Sequence, residues 1–287
     1  MLVIANLLWG ANYAVSKFAF GAWNPLAFSV TRFLLAGTAF SLLVRRREGA
    51  SRVDRADLPR LFACAAVGIT ANQIFFTGAA DHTTAGNVVL IMTAAPALAA
   101  FFAMVAGHEH VHARHWLSLT VAVSGVALVV LGGTGESGAS LLGDVLAVGA
   151  AATWAAYSVM LRPLFARYSA SRISSFVIIW GAVMLVPFSA SEVATQDWGA
   201  LGPKSITAWL YSAIFALVVT NLLYFRGLRS IGAARATLYM YLQPFVGVIA
   251  AALILGESLT LPQAIGGLVI LAGVSLGNLM PAATVRE

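Results

Sequence analysis

The chain has 287 residues, of which 60% are hydrophobic and 10% are charged, and its mean hydropathy is +0.87. A soluble domain of this length cannot hide so much apolar surface, so the composition predicts a membrane protein. The net charge of +6 does not indicate a nucleic-acid partner, because the basic residues are spread over several short connections. The single cysteine, Cys64, excludes a disulfide framework and a thiolate metal site.

Ten apolar segments follow one another along the chain. Each has about 20 residues, which is the length a helix needs to cross ~30 Å of hydrocarbon. Long apolar runs without a period of two favour helices over a closed barrel. The predicted helices cover residues 2–21, 24–44, 58–80, 85–106, 115–133, 142–161, 173–191, 206–226, 234–255 and 262–280. We therefore expect an all-α integral membrane protein with ten transmembrane helices.

The charges of the connections alternate between the two sides of these helices. Fourteen of the 17 Lys and Arg residues fall in connections 2–3, 4–5, 6–7 and 8–9 or in the C-terminal tail. The opposite connections carry the acidic residues Asp81, Glu136, Glu192, Asp197 and Glu257. Short basic loops stay in the cytoplasm, so both termini are predicted to be cytoplasmic, in a bacterial inner membrane.

The second half of the chain repeats the first. With a shift of 148 residues, positions 68–128 align with 216–276 without a gap. The matches that carry most weight are Pro96/Pro244, Glu109/Glu257 and Gly125/Gly273. Nearer the start, a shift of 145 pairs Trp9 with Trp154 and Lys17 with Arg162.

Each half holds five predicted helices, and an odd number makes the second half enter from the opposite face. The sequence thus predicts two inverted repeats, residues 1–135 and 136–287, with a substrate cavity between them. Inverted repeats with a site near the membrane midplane are typical of transporters. Helices 1, 3, 4, 6, 8 and 9 are expected to surround the cavity, and helices 5 and 10 to be peripheral.

Several short motifs recur at set places: Trp9-Gly10-Ala11-Asn12 in helix 1, Pro25 and Arg32 around helix 2, Pro96 and Pro244 in helices 4 and 9, and Gly256-Glu257 followed by Gln263 and Gly273. Over nearly the whole chain they resemble the EamA family of the drug/metabolite transporter superfamily. The first half departs from the pattern at His108-Glu109, where the second half has Gly-Glu. The resemblance implies two five-helix repeats around a central cavity and export of small metabolites, often amino acids.

Polar and aromatic residues recur at helical spacing, and residues three or four apart share one face. The expected substrate-binding residues are Trp9, Asn12, Tyr13, Asn72, Phe76, Met92, Trp154, Tyr157, Asn221, Tyr224, Tyr239 and Gln243. For each of them, hydrogen bonding between helices is the alternative. Four other aromatic residues near helix ends are expected to anchor the protein at the membrane interface: Trp23, Trp116, Trp198 and Trp209.

Pro96 and Pro244 are candidate hinges. A proline inside a helix removes one backbone donor and clashes with the carbonyl four residues earlier, here that of Met92 or Met240. Their repetition near the middle of helices 4 and 9 favours a role in movement, and a fixed packing kink is the alternative.

Neither Asp nor Glu lies in the centre of a predicted helix. Proton relays and sites for cationic drugs usually need an intramembrane carboxylate, so the pattern favours a neutral or zwitterionic substrate. Arg32 is the one base well inside a predicted helix, and Lys17 lies near the outer end of helix 1. Arg32 is expected to bind carbonyl groups or Glu257, and Lys17 to extend to the external surface.

His108-Glu109-His110-Val111-His112 matches H-E-x-x-H, in which two His bind zinc beside a general base. The equivalent segment of the second half keeps only Glu257, so the glutamate has a reason to be there without zinc. An intramembrane zinc protease therefore stays a remote alternative.

The interpretation is a transporter that exports amino acids or similar small neutral or zwitterionic metabolites by alternating access. Its partners are a small-molecule substrate and the lipid bilayer. No enzymatic activity, cofactor, metal or nucleic acid is expected. Export of amphipathic drugs or nucleosides is the alternative, and the oligomeric state stays open.

Overall fold

A computed structural model describes residues 1–49, 53–106, 113–133, 139–231 and 239–278. Within these ranges the chain is almost entirely helical and forms no β-strand. Six helices are long and apolar enough to cross a membrane: Pro25–Glu48, Arg55–His82, Ala85–Val105, Leu141–Ala166, Ala170–Thr195 and Pro203–Tyr224. Shorter apolar helices cover Trp116–Gly132, Tyr239–Leu255 and Leu261–Leu276. The expected all-α membrane protein is confirmed at this level.

The helices in chain order are α1 (Leu2–Ala19), α2 (Pro25–Glu48), α3 (Arg55–His82), α4 (Ala85–Val105), α5 (Ala113–Gly133), α6 (Leu141–Ala166), α7 (Ala170–Thr195), α8 (203–231), α9 (Tyr239–Leu255) and α10 (Leu261–Asn278). Side-chain caps fix where several of them begin. Thr84 accepts from the Asn87 N–H, Ser140 from the Gly143 N–H and Ser169 from the Arg172 N–H. Each bond satisfies a backbone donor that has no partner inside its helix.

Three helices depart from regular α geometry in their interior. α3 contains a π-helical segment at Ala66–Ala71, and α8 contains one at Tyr211–Val219. α4 is interrupted between Met92 and Ala95, so that Pro96 lies at the start of its second part, Ala95–Val105. At that position the missing proline donor costs nothing, because the first N–H groups of a helix have no helical partner.

The packing of the helices is paired. α5 packs along α10 and α2 along α7. α1 packs on α9 and α8, and α6 packs on α4 and α3. Glycines allow the closest of these approaches, since a Cβ at Gly125 would lie 2.7 Å from the Ile270 nitrogen and one at Gly273 would lie 2.6 Å from the Ala122 nitrogen. A close glycine contact of this kind is a common way for membrane helices to associate.

The connections gather at two opposite ends of the bundle. At the basic end, which carries connections 2–3 and 6–7, Arg167 forms a salt bridge of 3.0 Å with Asp54 and Tyr168 donates a 2.6 Å hydrogen bond to Asp57. The Ala56 N–H and Arg167 hold the pKa of Asp54 below its usual range. At the acidic end, the amide of Gln196 in connection 7–8 accepts from the Asn24 N–H of connection 1–2, and Ser140 of connection 5–6 donates to the His82 carbonyl.

Candidate functional site

A cavity of about 480 Å³ lies in the centre of the bundle. This volume is within the range of small-molecule sites, about 300–1,000 Å³. Helices α1 to α4 and α6 to α9 line it, and none of its lining residues comes from the described parts of α5 and α10. The lining includes these predicted site and hinge residues: Trp9, Asn12, Tyr13, Asn72, Phe76, Met92, Pro96, Trp154, Tyr157, Asn221, Tyr224, Gln243 and Pro244.

Aromatic rings form much of the wall. Trp9 and Tyr224 have ring centroids 5.4 Å apart, and the same distance separates Trp154 and Tyr157. Tyr13 meets Phe76 edge-on at 5.8 Å. Gly68 makes room for the Tyr157 ring, because a Cβ there would lie 2.3 Å from ring atoms. Aromatic faces of this kind offer an apolar surface that also attracts cations.

A hydrogen-bonded polar network crosses the wall beside these rings. Its centre is Arg32, whose Nη1 donates to the Ser212 hydroxyl and whose Nη2 donates to the Gln73 side-chain oxygen at 2.8 Å. Ser212 in turn donates to Asn12 at 2.6 Å. Gln73 donates to Asn72, and Asn72 donates to the Ala150 carbonyl at 2.8 Å. The network thus joins α1, α2, α3, α6 and α8.

Two further predicted amides are tied into the protein. The Gln243 amide nitrogen donates to Asn6 at 2.8 Å, and that of Asn221 donates to the Leu217 carbonyl at 2.6 Å. Asn72 and Gln243 therefore make the interhelical hydrogen bonds that were the alternative to substrate contact. Lining the cavity and bracing it are compatible, because an amide has more than one hydrogen-bonding atom.

Many lining residues occupy matching positions in the two halves. Pairs separated by 148 positions include Gly68/Ala216, Ile69/Leu217, Gln73/Asn221, Phe76/Tyr224, Met92/Met240, Thr93/Tyr241 and Pro96/Pro244. The π-helical segments of α3 and α8 supply the first two pairs. Such segments are common at functional sites, where the extra backbone residue redirects side chains.

The cavity extends toward the basic end of the bundle. Its lining includes Ser174 in the first turns of α7 and Phe165 in the last turn of α6, and Phe165 is 48% exposed. Toward the acidic end, polar contacts outside the lining join α4 to α6. Asp144 accepts hydrogen bonds from Thr83 at 2.7 Å and from Asn87 at 2.9 Å.

Glu257 makes a further polar contact with α4 at the acidic end. Its two carboxylate oxygens accept hydrogen bonds of 2.9 Å from the Ala85 and Gly86 N–H groups at the start of α4. Gly256 makes this possible, since its φ of +70° ends α9 in a left-handed turn that favours glycine. A carboxylate is stabilised there by the unpaired N–H groups and the dipole of the helix.

Some expectations need correction. Tyr239 is 36% exposed and is not among the lining residues. Lys17 does not simply extend to the surface, because its ammonium group binds the Thr83 carbonyl and lies 3.8 Å from Glu257. Among the described residues, Arg32 binds the side-chain carbonyl oxygen of Gln73 and the Ser212 hydroxyl, whereas Glu257 lies beside Lys17 and not beside Arg32. Trp23 is buried, stacks on Trp209 at 5.9 Å and meets Trp198 edge-on, so packing holds this ring.

Arg32, Gln73 and Ser212 complete the site beyond the predicted set, and α2 and α7 join the helices expected around the cavity. Gln73 follows Asn72 directly, and Arg32 is the base set deepest in a predicted helix. Groups of three or more His, Cys, Asp or Glu that could hold a metal are absent from the described residues. The His108–His112 motif lies outside them.

A profile of the EamA-like transporter family matches residues 1–131 and again residues 141–279. The chain belongs to this family. The match confirms the resemblance drawn from the sequence motifs, and it identifies the protein as a membrane transporter.

Curated relatives agree with the family assignment. An uncharacterized transporter of Archaeoglobus fulgidus is 25% identical, over 96% of this chain and 95% of the relative. A probable terminal-alkyne amino-acid exporter of Streptantibioticus cattleyicolor is also 25% identical, over 96% of this chain and 92% of the relative. A solved crystal structure with 15% identity superposes with a TM-score of 0.68 over 98% of both chains and shows the same fold.

Proposed function

We propose that this EamA-family transporter exports amino acids or similar small zwitterionic metabolites by alternating access. The observation that carries the proposal is the central cavity. Its wall combines aromatic rings and amides from both halves of the chain with Arg32 from the first half. A small substrate with an apolar side chain and polar ends would meet matching groups there. The relative named as a probable amino-acid exporter supports the same substrate class.

The proposed architecture is ten transmembrane helices in two inverted repeats, with both termini in the cytoplasm of a bacterium. Three observations support it. The family profile matches the two halves separately, cavity residues pair at a constant separation, and α1 contacts α8 and α9 as α6 contacts α3 and α4. The basic end is then cytoplasmic. The cavity extends toward this end, which suits the capture of substrate from inside the cell.

Reconstitution in liposomes tests the function. The purified full chain is placed in vesicles loaded with one unlabelled amino acid, and uptake of the same labelled amino acid is followed by counterflow, with and without a pH gradient. We expect saturable uptake of some of the twenty amino acids, absent from protein-free vesicles. If vesicles prepared in the same way take up only nucleosides or only amphipathic cations, the proposed amino-acid substrate class is wrong and that class takes its place. Uptake of none of these molecules would contradict the proposal.

A further inference from the structure

We propose that Arg32 binds a carboxylate of the transported molecule and that this contact makes the transporter selective for carboxylates over their amides and amines. The inference rests on the proposed function only in using the same cavity. It adds the chemical group that the protein recognises and the residue that recognises it.

The first step is the burial of the charge. Arg32 lies in the second turn of α2, lines the cavity, and is 2% exposed. Removing an arginine charge from water is costly unless an opposite charge or a full set of hydrogen bonds replaces the water. A buried guanidinium at a cavity therefore needs an account of its partners.

The second step is that these partners are neutral. The guanidinium donates to Gln73 and Ser212, and its Nη1 lies 3.4 Å from the Ser16 hydroxyl. Its carbon lies 5.0 Å, 5.1 Å and 6.0 Å from the ring centroids of Phe28, Phe33 and Phe76, respectively. Asp and Glu residues of the described ranges form ion pairs with bases such as Lys17, Arg167 and Arg172, and none of these ion pairs includes Arg32.

The third step is an unused donor. The Nε atom of Arg32 is buried and has no hydrogen-bond partner among the described residues. The Nε and Nη2 donors form one edge of the guanidinium, and this edge matches the two oxygens of a carboxylate. On this edge Nη2 is held by Gln73, whose oxygen also accepts from Ser29. A carboxylate that displaces this neutral oxygen would satisfy Nε and neutralise the buried charge at once.

The fourth step is the rest of the cavity wall. Asp and Glu are absent from the lining residues that the structure describes, so the cavity offers a fixed charge to an anion and none to a cation. Phe76 lies beside both Arg32 and Tyr13. A molecule whose carboxylate meets Arg32 would thus lay an apolar side chain along these rings. An ammonium group would meet amides, hydroxyls and ring faces, which are uncharged and bind cations less strongly than a carboxylate does.

Ligand binding to the purified full chain tests the assignment with matched probes. The first pair is phenylacetate and phenylacetamide, which share one shape. The second set is L-phenylalanine, L-phenylalaninamide and phenethylamine. Binding is measured by calorimetry and by tryptophan fluorescence at constant ionic strength. For the wild type we expect each carboxylate to bind about tenfold or more tightly than its uncharged or cationic analogue, since charge-assisted bidentate bonds are the strong ones.

Three variants test whether Arg32 is the residue that produces the preference for carboxylates. Arg32→Gln should abolish the preference by weakening carboxylate binding about tenfold or more, with little change for phenylacetamide. Arg32→Lys keeps the charge and loses the planar fork, so it should keep a reduced preference. Arg172→Gln is the matched control, because Arg172 lies outside the lining of the cavity at the basic end and contacts Glu48. It should bind all probes as the wild type does.

The outcomes separate this inference from the proposed function. Amino-acid transport with equal binding of carboxylate and amide, or with an unchanged preference in Arg32→Gln, would overturn the inference and leave the function standing. If phenylacetate binding depends on Arg32 but no amino acid is transported, the inference is supported and the proposed function is contradicted. Equal affinity for inorganic phosphate would mean a general anion site and would overturn the carboxylate assignment, as would a wild type that binds none of the carboxylates. If Arg32→Gln does not fold, the inference is tested by the carboxylate preference of the wild type and its expected reduction in Arg32→Lys.

Discussion

Lys17 and Glu257 meet at the acidic end of the bundle, where the ammonium nitrogen lies 3.8 Å from a carboxylate oxygen. The same carboxylate holds the first two N–H groups of α4, and Lys17 also binds the Thr83 carbonyl just before that helix. One charged pair therefore joins α1, α4 and the connection after α9. These are the elements that must separate if the cavity is to open at this end.

Glu257→Gln should weaken this closure. The amide can accept one of the two hydrogen bonds, but it loses the attraction of Lys17 and of the helix dipole, so we expect a loss of about 0.5–2 kcal/mol. A cysteine replacing Val89 in the cavity, in a Cys64→Ala background, should then react faster with an impermeant thiol reagent added outside intact cells.

Glu192→Gln is the control for Glu257→Gln. Glu192 accepts a 2.7 Å hydrogen bond from the Leu26 N–H at the start of α2, so it also caps a helix at the acidic end, without contacting α4. It should leave the labelling rate nearly unchanged. Equal labelling rates for wild type and both variants would show that the Lys17–Glu257 pair does not close the cavity.

Alanine at Trp154 or Asn221 should reduce transport about tenfold or more while the protein still folds, because each loses a cavity contact and neither is fully buried. Tyr157→Ala should also destabilise the protein by about 3–5 kcal/mol, since this ring is 8% exposed and packs into the space left by Gly68. Transport and thermal unfolding are measured together. Trp180→Ala is the control, because Trp180 is 39% exposed on α7 and does not line the cavity.

Much of the cavity could be predicted from the sequence because helical spacing places Trp9 with Tyr13 and Asn72 with Phe76 on one face. Interior position follows from the cost of exposing amides to lipid. The partners of Arg32 could not be predicted, since Gln73 and Ser212 reach it from other helices and tertiary packing decides such contacts. The π-helical segments were missed for a related reason: nothing in the local sequence of Ala66–Ala71 specifies an extra backbone residue.

Cysteine labelling tests the orientation of the protein in the membrane. Lys204 is exposed at the acidic end and Arg55 is exposed at the basic end. With Cys64 replaced by alanine, a cysteine at position 204 should react with an impermeant thiol reagent in intact cells. A cysteine at position 55 should react only after the cells are opened. The reverse pattern would contradict cytoplasmic termini.

The contacts of Asp54 at the basic end predict that the stability of the protein changes with pH in the acidic range. The pKa of Asp54 is lowered by the Ala56 N–H and Arg167, so its stabilising contribution is fully present above the ordinary aspartate pKa of about 3.9 and is lost as the pH falls through the lowered value. The melting temperature of Asp54→Asn should therefore lie slightly below that of the wild type at neutral pH, with the difference vanishing in acid. A difference that persists in acid would assign the effect to packing.

Pro96 and Pro244 are predicted to influence which end of the bundle the cavity opens to. Pro96 follows the interruption of α4, and Pro244 is buried near the described start of α9, 148 positions later. Alanine restores the backbone donor, so the Met92 or Met240 carbonyl can pair and straighten its helix. A bias of about 1.4 kcal/mol shifts a conformational ratio tenfold. Pro96→Ala and Pro244→Ala should thus slow transport more than they weaken binding, and they should shift spin-label distances across the two ends in opposite directions.

Pro187→Ala is the control for these two variants, because Pro187 lies inside α7 and does not line the cavity. If both cavity variants keep wild-type distances and rates, the prolines are static kinks.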